Sequence, residues 1–245
     1  MEDRLSSVQV RYRPAAGDDL VGASLGRVSP AELFAARPVR EFCWYKGRTF
    51  YSGWYWSATT GGFVAYESRL ELARVLLADF DAGVCGMAAQ PFQLEEVVGG
   101  KRRRHVPDLL LEHGDGRVTV VDVKPAYRLA DPVVAAAFAW TAELMALRGW
   151  AFEVWSGADR VLLANVRFLA GYRRAFTIDT RLCGPVLDLA EAQVSLGGLE
   201  CAARSIAPPE QIRPVVLHLL WSHQLGSDLS VALGAGSPIW RVGQR

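Results

Sequence analysis

Two short runs in this 245-residue chain carry side chains that could do chemistry together: Pro107-Asp108, and Asp122-Val123-Lys124-Pro125. On a strand, residues two apart share a face, so Asp122 and Lys124 are expected to point one way while Val121 and Val123 point into the core. Gly114-Asp115-Gly116 reads as a hairpin turn. Counting back from it sets Asp108 opposite Asp122, where cross-strand side chains stand about 5 Å apart. Two carboxylates that close repel each other unless a cation lies between them. Hard oxygen donors without thiolate or imidazole partners suit Mg²⁺ or Mn²⁺. An ion held in this way can orient a phosphodiester, acidify a bound water and stabilise the leaving oxygen. The plainer alternative is that Asp108 caps a turn and Asp122 pairs with Lys124.

Lys124 stands out because the chain has three lysines beside twenty-four arginines. On a solvated surface the two are near substitutes. A lysine kept at the end of an apolar strand points to a compact ammonium that a planar guanidinium cannot replace.

The elements that must position these residues can be read around them. Tyr66 to Asp81 has the apolar period of a helix packed on most faces and carries Glu67 and Glu71. Three strand-like segments follow, Pro91 to Val98, Arg102 to Glu112 and Arg117 to Lys124, with turns at Gly99-Gly100 and Gly114-Asp115-Gly116. Asp131-Pro132 opens a helix that Gly149 ends, Trp150 to Trp155 is a strand, and Asp159 opens another helix to about Arg174. The aromatic run from Arg48 to Thr59 is strand-like, and residues 1 to about 40 read as loops with a short helix near Pro30 to Arg37. Beyond Thr180 come short helices, one of them from Arg213 to Gln224, then a hairpin from Leu229 to Val242. The fold class expected is α/β, a mixed sheet flanked by helices, over residues 1–180 with a core of about 60–172, and a small module at 181–245.

Half the residues are hydrophobic and the net charge is +1, which fits a globular protein whose nucleic-acid contacts come from local patches. Lys101-Arg102-Arg103-Arg104 is such a patch beside Asp108, and Arg128 is a further candidate. Gln90, before Pro91-Phe92, reads as a strand-entry residue or as one that reaches a metal-bound water or the DNA backbone. The four cysteines and four histidines lack metal-ligand spacing, so zinc and disulfides are not expected and the thiols are read as mostly buried. No leader and no stretch of about 18 apolar residues is present, which excludes a membrane-spanning reading.

Glu67, Pro107-Asp108 and Asp122-Val123-Lys124, set on a helix and a meander followed by a helix, resemble the PD-(D/E)xK nuclease superfamily. Asp122-Val123-Lys124-Pro125, Gln90-Pro91-Phe92 and the C-terminal module more narrowly resemble the TnsA-like endonuclease subunit of heteromeric transposases. The resemblance implies a restriction-endonuclease-like core with a winged-helix-like C-terminal module. It also implies a Mg²⁺-dependent endodeoxyribonuclease that cuts strands at transposon ends to leave a 5′-phosphate and a 3′-hydroxyl. By that likeness Asp108, Asp122 and the Val123 carbonyl hold metal, Glu67 serves a second ion or its water with Glu71 as competitor, and Lys124 orients the attacking water or stabilises charge. Double-stranded DNA, a DDE-type transposase subunit and an AAA+ ATPase regulator are the implied partners, in a bacterial cytoplasm beside the nucleoid. Two rival readings are a stand-alone nuclease of restriction, repair or phage defence, and an inactive nuclease fold that binds DNA or serves as a scaffold.

Overall fold

The computed structural model describes residues 2–40, 51–190 and 194–243. It has a mixed α/β fold whose contacts divide it into two compact units, Met1–Gly157 and Ala158–Arg245. The division falls earlier than the sequence boundary near residue 180. The helix opened by Asp159 packs on the long helix of the second unit, because its buried side, with Val166 and Leu169, finds its apolar partners there.

The first unit runs α1 (Glu2–Ser7), β1 (Gln9–Tyr12), β2 (Val21–Ser24), α2 (Pro30–Phe34), β3 (Gly53–Trp56), β4 (Phe63–Tyr66), α3 (Arg69–Phe80) and β5 (Val84–Ala89). It continues with β6 (Gln93–Val98), β7 (Lys101–His105), β8 (Leu109–His113), β9 (Val118–Val123), α4 (Pro132–Arg148) and β10 (Ala151–Trp155). Two four-stranded sheets, ordered β2-β1-β6-β7 and β10-β9-β8-β5, are joined by α4 over a shared core that includes Leu94, Leu110, Val120, Trp140 and Leu144. In the second sheet β10 is parallel to β9 and the other pairs are antiparallel. A separate hairpin, β3-β4, packs near α3.

The expected three-strand meander is instead two hairpins in different sheets. The segment read as one strand from Arg102 to Glu112 breaks at Val106-Pro107-Asp108: β7 pairs with β6, and β8 pairs with β9 and β5. Proline has no N–H to give to a ladder, so Pro107 marks the corner where the chain changes sheets. Helix α3 also starts later than its apolar period suggested. Ser68 is the N-cap, its hydroxyl oxygen accepting from the Glu71 N–H, which leaves Glu67 outside the helix. Strands β1, β2, β4 and β5 fall where no strand was expected. The aromatic run begins outside the described residues, as does Cys43; Cys85 and Cys201 are exposed, contrary to the expectation of buried thiols, and Cys183 is half-buried.

The second unit contains α5 (Arg160–Leu169), α6 (Cys183–Asp188), β11 (Val194–Ser195), α7 (Leu196–Ala202), α8 (Pro209–Trp221), β12 (Leu225–Ser227) and β13 (Pro238–Arg241), with an antiparallel sheet ordered β11-β13-β12. Gly197 lies inside α7, not between helices, because a side chain there would meet Ala235 at 3.1 Å. The terminal hairpin spans β12 and β13 and so begins before Leu229. Among the described residues no helix is long and apolar enough to cross a membrane.

Candidate active site

Leu109 lies opposite Val121 on β9, and Ala89 of β5 opposite Leu109, so the next step on β5 and β8 sets Gln90 beside Asp108 at the end of the sheet where Asp122 follows Val121. The Gln90 N–H donates to the Asp108 carbonyl at 2.9 Å, which ties those two directly. The register read from the glycine turn holds as far as Leu109 and Val121; beyond them the Asp108 N–H donates to the Val121 carbonyl at 3.1 Å, so the ladder slips there and Asp108 does not pair with Asp122 as expected. What also differs is the facing of β9, which is buried along its whole length. Val118 and Val120 join the core under α4, placing Asp122 on that same side by alternation. Val121 faces the other way with its parallel partner Glu153, which ion-pairs with Arg74 of α3. A strand in the middle of a sheet, covered on both sides, has no solvent face to give its acid.

Asp122 is 2 % exposed, and its two carboxylate oxygens lie 2.7 and 2.9 Å from Nε2 of His105. That ring belongs to β7, across the Pro107 corner, and packs edge-on against Phe138 of α4. The sequence places His105 at the end of the basic run that leads to Asp108, but does not foresee its pairing with Asp122, because its spacing matches no metal motif. A usable signal was there: with a break at Pro107, the last residue of the basic strand must sit at the corner above the acid.

Asp108 bends back on its own sheet, and its Oδ2 accepts the Val123 N–H at 2.7 Å. Burial, then the neighbouring Glu71 carboxylate, push its pKa up to about 7, against the Val123 hydrogen bond and the Lys124 ammonium, which favour the charged form. Glu71 is itself raised by burial, although its oxygens accept the Glu67 N–H at 2.8 Å and the Ser68 hydroxyl at 2.9 Å. The acid from α3 that acts most on Asp108 is thus Glu71. Glu67 stands one turn away, ion-paired with Arg40 at 3.1 Å. Lys124 joins the sheet through its N–H to the Trp155 carbonyl and makes no side-chain ion pair among the described residues. Pairing of Asp122 with Lys124, the plainer sequence reading, is therefore not seen.

Gln90 is the least comfortable residue at this end of the sheet. Its φ is +45°, a left-handed conformation that costs a side-chain-bearing residue about 1–2 kcal/mol. The side chain is buried, and neither amide atom has a partner among the described residues, a further cost of about 1–3 kcal/mol.

The basic strand splits by alternation. Arg102 and Arg104 both reach Glu95, at 3.2 and 2.9 Å, on one face of the β6-β7 hairpin. Lys101 and Arg103 share the opposite face with His105, without an ion pair among the described residues, and Arg103 lines an open groove of about 730 Å³ with Glu96 and Trp140. Arg128 sits on the turn after Pro125 and lies 3.5 Å from Asp131, the N-cap of α4.

Asp108, Glu71 and Asp122 offer only oxygens, held close enough that Glu71 and Asp122 both disfavour charge on Asp108, and this donor chemistry fits a hard divalent cation. Among the described residues no three acidic, histidine or cysteine side chains converge on one point. Asp122 is turned to His105 instead, so it could serve as a ligand only once that pair opens. No family model matches the chain, and no curated protein matches it.

Proposed function

We propose that this chain is a Mg²⁺- or Mn²⁺-dependent DNA endonuclease, the TnsA-like subunit of a heteromeric transposase, hydrolysing a phosphodiester at transposon ends. The observation that carries the reading is the gathering of Asp108, Asp122, Glu71 and Lys124 at one end of a mixed sheet, close enough that the other three act on the charge of Asp108. Charged groups in such a place are unfavourable unless paired or bound to a cation. The succession α3, β5, β8-β9, α4, β10 agrees with a restriction-endonuclease-like core. In the second unit, α6, β11, α7, α8, β12 and β13 follow the order of a winged-helix-like module. Its α8 is buried at Ile212 and from Val215 to Trp221, which favours packing or partner contacts over reading of DNA bases.

In this reading Asp108, Asp122 and the Val123 carbonyl hold the ion, and Glu71 is better placed than Glu67 to support a second ion or its water. A bound divalent ion supplies Lewis acidity and an acidified water. Lys124 contributes an ammonium for that water or for charge developing on the phosphate. Near-neutral net charge leaves placement on DNA to partners, a DDE-type transposase and an AAA+ regulator.

Nicking of DNA carrying transposon ends, with and without the transposase subunit, tests this. Metal-dependent cuts are expected from the parent chain, and a loss of at least about 100-fold in Lys124→Ala and Lys124→Arg. Cleavage without any partner would favour the stand-alone nuclease. No metal-dependent cleavage in any mixture would leave the scaffold reading.

The two faces of β7 give a second expectation. Lys101→Ala with Arg103→Ala should lower the salt dependence of DNA binding by about two counter-ions. Arg102→Ala with Arg104→Ala should change it less, since Glu95 already offsets those charges. Equal slopes for the two pairs in fluorescence anisotropy would show that the β7 faces are not used differently.

A further inference from the structure

Gln90 combines three features that no packing role requires. It is an amide-bearing residue in a left-handed conformation, it is 2 % exposed, and both of its amide atoms lack partners among the described residues. Its backbone is fixed on both sides: its N–H donates to the Asp108 carbonyl and its carbonyl accepts from the Val39 N–H. The backbone of Gln90 is therefore anchored to Asp108, and its buried side chain keeps its hydrogen-bonding capacity unspent. A thioether or leucyl side chain of similar volume would fill the same space without leaving buried polar atoms unsatisfied.

We infer that the Gln90 amide completes the site as a positioning residue, its Oε1 accepting a hydrogen bond from a water on the divalent ion held by Asp108. This rests on the nuclease reading and deepens it. Gln90 has one acceptor and one donor group to offer a single water, whereas the carboxylates around it can only accept. Its neutrality also matters beside Asp108 and Glu71, where another carboxylate would add to the repulsion already present.

The full-length chain, free of DNA, is titrated with Mn²⁺ by calorimetry, and its unfolding midpoint is measured in chelator, for the parent and for Gln90→Met, Gln90→Glu and Asp108→Asn. Loss of an outer-shell partner lowers metal affinity by about 10–100-fold, and that is the loss expected of Gln90→Met. Its midpoint in chelator should stay level or rise by about 2–4 °C, since an unsatisfied amide is gone. Gln90→Glu keeps the oxygen acceptor and should bind Mn²⁺ more tightly than Gln90→Met; it decides the matter should the methionine variant not fold, because binding weaker than the parent's by about 10-fold would then overturn the inference. Parent-like affinity in Gln90→Met, with none in Asp108→Asn, would overturn the role of Gln90 and leave the nuclease reading standing. A parent that binds no Mn²⁺ would remove both.

Discussion

Asp108→Asn is expected to abolish metal-dependent cleavage and, in chelator at pH 8, to make the protein more stable. The folded-state pKa of about 7 lies above the ordinary value of 3.8, so the fold favours the protonated acid. Stability from this group is fully present below about pH 4 and is lost as the pH rises through 7. The difference in pKa corresponds to at most about 4 kcal/mol. Asparagine can still accept the Val123 N–H and never ionises. The gain should therefore be largest at pH 8 and shrink towards nothing near pH 4. Mn²⁺ should reverse the order, stabilising the parent at pH 8 and leaving Asp108→Asn unchanged, because the ion favours the charged carboxylate and binds more tightly as the proton leaves. Urea titrations at pH 5 and pH 8, with chelator and with Mn²⁺, measure all of this. An Asp108→Asn protein less stable than the parent at pH 8 in chelator would show that the carboxylate is held by donors other than Val123, and the site would need another explanation.

Much of this site was legible in the chain, and the parts that were not have physical causes. The glycine turn at residues 114–116 fixes the β8-β9 register as far as Leu109 opposite Val121, so counting brought Asp108 and Asp122 to one end of the sheet but missed the slip that takes the Asp108 N–H to Val121. The sheet change at Pro107 did not follow from counting, because the basic run Arg102-Arg103-Arg104 and the apolar run Leu109-Leu110-Leu111 can both be read as strand and only the missing N–H of proline marks the corner between them. The pairing of His105 with Asp122 was hidden for the same reason: it exists only because the chain leaves one sheet and enters another. The start of α3 was within reach, since Ser68-Arg69-Leu70-Glu71 has the capping-box spacing, and reading it would have placed Glu67 outside the helix and moved attention to Glu71. Strand β5, Val-Cys-Gly-Met-Ala-Ala, is too rich in small residues to signal a strand by composition, yet it ends at Gln90.

Asp79→Ala is expected to have the opposite sign from Asp108→Asn, a loss of about 3–5 kcal/mol. Helix α3 carries Glu71, half-buried near its start, and Asp79, buried near its end. Asp79 is 6 % exposed, and its carboxylate accepts from the Tyr55 hydroxyl at 2.7 Å, the Ser57 hydroxyl at 2.7 Å, the Ala58 N–H at 3.1 Å and the Thr59 N–H at 2.8 Å. Truncation strands those donors together, and the loop between β3 and β4 loses the group that ties it to the helix. Asp79→Asn should also be costly, because an NH₂ then faces donors where an oxygen is needed. A fall in the unfolding midpoint of about 10 °C is the expected reading for Asp79→Ala, and a loss under about 1 kcal/mol would show that the loop finds water as readily as the carboxylate. The contrast separates two uses of a buried acid. Asp79 has its acceptors filled by protein donors and none left for a ligand, so its work is structural. Asp108 feels two other carboxylates in a fold that would be more stable without its charge, which is the condition expected of a group kept for something that binds.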